Sequence, residues 1–540
     1  MRTINISKRP LLLGFALLLL GATAAAQGTV GNDQVIIIKE FEGKIKDADK
    51  VNFSPNVPEE ESRTPKQTYN VPQKDFKDIP FEPNPLRPIS MGKEKIENFN
   101  TSYLKLGFGS QLTPLVQLAY NDNKTKNLKF GFHYDHVSQY GFAIKNMRYS
   151  DDLAGLYLRY DMKGVELSTA FDFHNLRTHF YGTNETFSEK DVRQNLRDYD
   201  ARIGVKNILK NKAEIDYNAN VRFNYFQETY GGSNEYFVAA NAGGSKVFKK
   251  YHSAFADFSF DISNFKSTRQ STFRNLFFLK LGYGFNNDDW KARAAFTFGV
   301  EGSKFLPLPD LYIEKRLYKH QLIAFAGWEI TFRKNSFRTL SANNNFINSD
   351  IALQNTQISE FSSGLKGTIQ HFTYRLKFGY RRFSNMPLYY TNYYDTKRFY
   401  VAYDPTVSNF NGQIELGWHI NESFRVLALA DINAYSLSRN TRAWYEPALK
   451  LNWNGTYTWK KKIAIGLNLY AFSSYYGFLS PGNEKKQKGT ADLSLNLEYY
   501  FSKRWSFFGN LNNIAHQKYE RYAGYPVYGI NGLVGAKFSF

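Results

Sequence analysis

The feature that most constrains this chain is a period of two, sustained stripe after stripe from Thr101 to Phe540. Ala491, Leu493, Leu495, Leu497, Tyr499 and Phe501 are apolar, and Asp492, Ser494, Asn496 and Glu498 stand between them. Ile215, Tyr217, Ala219, Val221, Phe223 and Tyr225 interleave in the same way with Asp216, Asn218, Asn220, Arg222 and Asn224. A third stripe sets Phe372, Tyr374, Leu376, Phe378 and Tyr380 against Thr373, Arg375, Lys377, Gly379 and Arg381. Successive side chains of a strand point to opposite faces, so each stripe separates an apolar medium from a polar one. A soluble sandwich or propeller would also produce such stripes, but its strands usually run to about five or six residues. An apolar band about 25 Å tall needs roughly 9 to 11 tilted residues, and many stripes here reach that length. Beyond the first 26 residues no apolar run approaches the length of a spanning helix, which excludes a helical membrane protein.

The stripes place 22 strands between residues 101 and 540. The weakest is 311–319, beside Pro307 and Pro309, and residues 398–404 are a candidate for one more. Short connections at 162–164, 209–213, 286–290, His371, 419–423, 460–462 and 502–504 alternate with long ones at 175–196, 334–357, 385–409, 438–445 and 477–488. Tight periplasmic turns and extended outer loops alternate in this way in transmembrane barrels. An even strand number returns the C-terminus to the side where the first strand began. Closure is obligatory, because an unpaired backbone N–H or C=O in lipid costs several kcal/mol. Trp290, Trp328, Trp418, Trp459 and Trp505 read as interfacial aromatics near strand ends, in a chain with 47 Phe, 38 Tyr and 7 Trp. The expected fold is therefore all-β: a transmembrane antiparallel β-barrel of about 22 strands in the outer membrane of a Gram-negative bacterium.

Residues 1–26 read as a cleaved secretory signal: Arg2, Lys8 and Arg9, the apolar run Leu11 to Leu20, then Ala24-Ala25-Ala26. Residues 27–100 read as an irregular periplasmic or lumenal segment, since eight of the chain's 17 prolines fall there. Within it Val35, Ile36, Ile37 and Ile38 form a short β-prone stretch, either able to add to a partner's sheet edge or packed on its own chain.

The formal net charge is +20; the signal contributes +3 and residues 27–100 contribute −2, leaving +19 on residues 101–540. The basic residues are scattered along the sequence and no helix-turn-helix, zinc-finger or RNP pattern occurs, so no nucleic-acid partner is expected. The chain has no Cys, which excludes disulfides and thiolate chemistry. Motifs for metalloprotease, serine hydrolase, P-loop and dinucleotide sites are missing too, so neither an enzyme nor a cofactor is expected. His133 and His136 fall on opposite faces of one strand and are poorly placed to chelate a metal together.

The C-terminal residues carry a resemblance. Asn510-Leu511-Asn512-Asn513-Ile514 is followed by Lys518-Tyr519, then Gly524-Tyr525-Pro526, Gly529 and a terminal strand from Val534 to Phe540. This resembles the barrels of TonB-dependent receptors, whose penultimate strand carries a similar Asn-Leu-x-Asn signature before Lys-Tyr. The resemblance implies that Phe540, with Phe538, is the aromatic signal read by the barrel-assembly machinery. Members commonly have Arg where this chain has Ile530. They also carry a globular plug of well over a hundred residues ahead of the barrel, for which residues 27–100 leave no room.

Asp216, Arg222, Arg375, Lys377, Arg381, Asp492, Asn496 and Glu498 are the candidate lumen-lining residues, taken from the polar faces of the stripes. Arg439, Arg442, Lys485, Lys486 and Lys488 in outer loops are candidates for contact with lipopolysaccharide phosphates. Two functions follow as expectations: a plugless, receptor-like transport conduit or partner-gated channel, or a structural subunit of an outer-membrane assembly or export complex. Either would have outer-membrane lipid and a periplasmic or outer-membrane protein as partners.

Overall fold

The computed structural model describes residues 102–122, 125–141, 144–181, 188–392, 395, 397–421 and 423–540. The signal, the Pro-rich segment and the Val35 to Ile38 stretch lie outside the described residues.

In chain order the strands begin with β1 (Tyr103–Gly109), β2 (Thr113–Asp122), β3 (Leu128–Tyr140), β4 (Arg148–Met162), β5 (Val165–His179) and β6 (Arg193–Asn207). They continue as β7 (Ile215–Glu228), β8 (Ser233–Phe248), β9 (His252–Lys266), β10 (Ser271–Asn286), β11 (Trp290–Glu301), β12 (Lys304–Tyr318) and β13 (Leu322–Arg333). Next come β14 (Thr356–Ile369), β15 (Phe372–Thr391), β16 (Phe399–Asn421), β17 (Phe424–Leu437), β18 (Leu449–Trp459) and β19 (Ile463–Phe472). The last are β20 (Tyr475–Ser480), β21 (Asn483–Gln487), β22 (Thr490–Tyr500), β23 (Trp505–Asn512), β24 (Glu520–Tyr522), β25 (Tyr525–Pro526) and β26 (Asn531–Ser539). Two short helices, α1 (Glu189–Val192) and α2 (Phe337–Asn343), lie in connections.

Twenty-two of the strands form one antiparallel sheet in which each pairs with its sequence neighbour, β20–β21 and β24–β25 standing apart as small hairpins. The sheet closes where β1 pairs with β26, from Tyr103 opposite Ser539 to Gly109 opposite Leu533. No edge remains. The outer face carries exposed apolar side chains around the ring, among them Leu156, Ile203, Phe361, Phe378 (66% exposed), Phe410 (68% exposed) and Val534. A soluble fold would not leave such a surface to water, and a bilayer accepts it. No helix is long and apolar enough to cross a membrane among the described residues.

All 22 expected strands are present, with three adjustments. Pro307 and Pro309 lie inside β12, not beside it: the ladder to β13 begins only at Asp310, so that neighbour demands no N–H from either proline. Residues 398–404 are not a further strand but the start of β16, which pairs with an extended β15 as far as Thr391 opposite Phe399. Most of the loop expected at 385–409 is therefore hairpin. Trp290, Trp418, Trp459 and Trp505 sit at the end with the tight turns, whereas Trp328 lies mid-strand opposite Leu311.

The long connections all emerge at one end; the other, the turn end, carries Ser102 and Phe540 and only connections of seven residues or fewer. At the turn end, Lys163-Gly164 joins β4 to β5 with both residues at positive φ (39° and 101°), the conformation that matches the twist of paired strands.

Candidate functional site: a loop cap over the lumen

The largest buried apolar cluster is not in the wall but at the loop end. Connections 180–192, 334–355, 438–448, 473–489 and 513–530 contribute to it, together with the extended ends of β15 and β16. Its centre is Tyr525, which is 2% exposed. The Tyr525 ring stacks on Phe346 at 3.7 Å between centroids and meets Tyr181 edge-on at 4.9 Å. Its hydroxyl donates to the Lys397 carbonyl, and the Tyr181 hydroxyl donates to the Pro526 carbonyl at 3.2 Å.

These contacts fix the cap's position. The connections holding Tyr181, Phe346 and Tyr525 are rooted between β5 and β6, β13 and β14, and β23 and β26, so eight, eight and six strands separate their roots around the ring. Strands ~4.8 Å apart and tilted ~40° make such a cylinder roughly 40 Å across. Loops that start a third of the circumference apart can touch only above the lumen. The hairpin β24–β25 delivers the central residue, turning at Gly524, whose φ of +82° suits glycine. Beside it Tyr522 packs on Phe399 (5.5 Å) and Tyr445 (5.4 Å) and donates to the Asn343 carbonyl at 2.5 Å.

Charged groups fasten the cap to the wall. α2 opens with a capping box in which Ser336 and Thr339 bond each other's backbone, satisfying N–H groups that the helix leaves free. Phe337 then packs between Phe226 and Phe265 of the wall (5.9 and 5.1 Å). Arg338 donates to Asp198 at 2.6 Å, and its backbone N–H donates to Glu235 at 3.0 Å. Asp404, on the part of β16 beyond the membrane belt, is a second fastening. One carboxylate oxygen accepts from the Ser438 hydroxyl (2.8 Å) and the other from the N–H groups of Arg439 and Asn440 (3.1 and 3.0 Å) and the Asn440 side chain (2.9 Å). Burial works to raise its pKa, but these donors prevail and hold it below the usual carboxylate value. Glu520 behaves likewise: against burial, Lys485 (2.7 Å), the Gly524 N–H and Gln487 lower its pKa and tie connection 513–530 to β21.

Below the cap the expected lumen residues lie on the face opposite the exposed apolar side chains. Lys377 and Arg381 (3.0 Å) share Glu360, and Arg375 is 3.7 Å from Glu415. Arg222 pairs with Asp200 at 2.6 Å, while Asp216 accepts from Asn207 at 3.1 Å near the turn end. On β22, Glu498 is buried and accepts from Ser506 at 2.5 Å; Asn496 shares its face; Asp492 accepts from Tyr519 of the cap at 3.4 Å. Four strands separate β15 from β22, so the two sets form different parts of the wall. Of the loop cations, Arg442 pairs with Glu484 (2.9 Å) over the Tyr476 ring, and Lys485 with Glu520. Those two are occupied within the protein. Phe538 packs on Trp505 (4.8 Å) and on Phe540 (5.8 Å), which is 47% exposed.

The cap has no strand periodicity by which the sequence would announce it. Its signal lies in the tyrosines crowded into 389–403, 475–476 and 519–528, positions where no strand alternation accounts for them.

The closed 22-strand barrel with its apolar outer belt and loop-covered mouth has the fold of solved outer-membrane receptors. Among solved structures, the chain is similar to the ferripyoverdine receptor of the Pseudomonas aeruginosa outer membrane (TM-score 0.60, 11% identity, 81% of this chain and 71% of that one). The FrpB iron transporter of Neisseria meningitidis matches with a TM-score of 0.64, 9% identity and 81% coverage of both chains. The ferric enterobactin receptor PfeA of Pseudomonas aeruginosa matches at 0.62 and 9%, over 81% of this chain and 80% of that one. No protein-family model and no curated protein matches the sequence.

Proposed function

We propose that this protein is a non-enzymatic transport conduit of the outer membrane, with its outer mouth shut by its own loops until a ligand or partner protein opens it. The observation that carries the reading is the meeting of three widely separated loops at Tyr525. A cylinder roughly 40 Å across, if left open, would breach the permeability barrier, so closure is a functional need. The neighbours support transport by analogy: they are an iron transporter and receptors for ferripyoverdine and ferric enterobactin, and FpvAI is known in complex with pyocin S2. In this reading residues 27–100 replace a globular plug, filling the lumen or recruiting a periplasmic partner through Val35 to Ile38.

The density of bonds within the cap favours a second reading, a permanently shut structural subunit of an outer-membrane assembly or export complex. Single-channel conductance of the mature chain, with and without residues 27–97 and with Tyr525→Ala, separates the two. Pores that appear when cap and segment are both removed support the conduit. Persistent insulation together with co-purifying proteins supports the subunit.

A further inference from the structure

The positive charge is not spread evenly over the molecule. The ten connections at the turn end (123–127, 163–164, 208–214, 249–251, 287–289, 319–321, 370–371, 422–423, 460–462 and 501–504) hold thirteen Lys and Arg against four Asp and Glu, a balance of +9 in 34 residues. The eleven connections at the loop end hold fourteen against eight, +6 in 108 residues. Neutralisation differs as well. At the loop end Arg269, Lys334, Arg338, Arg398, Arg442 and Lys485 are ion-paired, while Lys486, Lys488 and Lys518 are exposed and pair with no acid among the described residues. At the turn end Lys249, Lys250, Lys460, Lys461 and Lys462 are exposed, and none pairs with an acid among the described residues.

Turn chemistry makes these lysines unexpected. Lys460 (φ 48°) and Lys461 (φ 55°) are the central residues of a turn closed by the Lys462 N–H donating to the Trp459 carbonyl at 2.9 Å. Both residues are left-handed, where Asn-Gly is the default and a long side chain is strained. Lys249 (φ 48°) and Lys250 (φ 64°) repeat the choice. Local folding does not ask for lysine there, so the charge is being kept for another reason.

The aromatic neighbours indicate what that reason is. The ammonium of Lys460 lies 5.0 Å from the Trp459 ring, that of Lys250 lies 5.0 Å from Tyr251, and that of Lys315 lies 4.7 Å from Trp290. Those rings are exposed on the membrane side, at the lower border of the apolar belt, with Trp418 and Trp505 at the same level. An unneutralised cation stacked on an interfacial ring sits at headgroup depth. We propose that the turn end is a binding rim for anionic phospholipid headgroups of the adjacent leaflet, independent of what passes through the lumen.

The test uses the full mature chain in bilayers of phosphatidylethanolamine with a minor fraction of phosphatidylglycerol, with spin-labelled lipids reporting the share held at the protein. Each fully engaged cation should favour the anionic lipid roughly fivefold. Averaged over the annulus, a preference of at least ~2-fold over phosphatidylcholine is expected, falling in high salt. Lys249→Asn with Lys250→Gly, and Lys460→Asn with Lys461→Gly, install the residues the turns favour, so the barrel should still fold while the preference falls toward one. Arginine at the same four positions should keep it. Soluble glycerophosphate at millimolar concentration should not compete if the membrane surface is the source, and full competition would overturn the proposal in favour of a free-phosphate site. An unchanged preference in the Asn-Gly variant would overturn it too, as would absence of preference in the parent protein, including the case where an acidic periplasmic protein binds the rim instead.

Discussion

Replacing Tyr525 by Ala removes the side chain on which three loops converge. The ring is 2% exposed, stacks on Phe346 at 3.7 Å and abuts Tyr181 at 4.9 Å, and its loss also leaves the Lys397 carbonyl without its donor. Aromatic-to-Ala changes in cores cost about 3–5 kcal/mol. The lower figure applies here, because the cap borders a polar lumen from which water can fill part of the gap. About 3 kcal/mol, taken entirely from local opening of the cap, raises the open population by roughly 10²-fold. Hydrogen exchange should therefore quicken by about that factor in the amides of 334–355 and 513–530 whose protection depends on the cap. Wall amides of β7 and β14 should be unchanged. The reasoning fails if those two loops exchange at the parental rate in a barrel that still migrates as folded, or if loop and wall quicken equally.

Further outcomes follow from the same contacts. Asp404 has a lowered folded pKa, so its contribution is complete above the ordinary carboxylate value of about 3.9 and is lost as pH falls through the depressed folded value. Protease cleavage within 438–448 should be constant from neutral pH to about 5 and rise only in stronger acid. Asp404→Ala should be cleaved at every pH, and equal cleavage of the two proteins at pH 7 would contradict the role. Phe540→Ala should slow insertion into the outer membrane, measured as the rate at which heat-resistant folded barrel accumulates; an unchanged rate would remove the assembly-signal assignment. Lys460→Asn with Lys461→Gly relieves two left-handed lysines and should raise the unfolding midpoint in detergent, by an amount corresponding to ~1 kcal/mol or more.

The wall was legible because a membrane barrel needs the same local rule in every strand: apolar out, polar in, turn, repeat. That rule places β22 within one residue, the stripe running from Ala491 to Phe501 and the strand from Thr490 to Tyr500, and finds the start of β7 at Ile215. It failed where the strands leave the bilayer. Above the belt, β15 and β16 carry buried side chains on successive positions, Leu388, Tyr389 and Tyr390 among them, since cap and neighbouring loops cover both sides. Alternation is lost there, and the hairpin reads as a loop. Connection 513–530 was obscured for a related reason, because its Gly524-Tyr525-Pro526 segment reads as a motif near two strands and not as a residue reaching the barrel axis. Contacts between Tyr525, Phe346 and Tyr181 join residues far apart in the chain, and no local pattern encodes them. The basic rim leaves no signal in the sequence because its lysines are scattered along it; only the barrel gathers them at one end.

The chain has no cysteine, so a single engineered thiol can report on the cap without background. Asn496→Cys places it on the polar face of β22, opposite the exposed Leu497 and Tyr499 and clear of the ion pairs described above. A membrane-impermeant maleimide applied to the outside of intact cells should leave this thiol unlabelled, and should label it when Tyr525→Ala is added. Rapid labelling from outside in the protein with its cap intact would contradict a shut outer mouth.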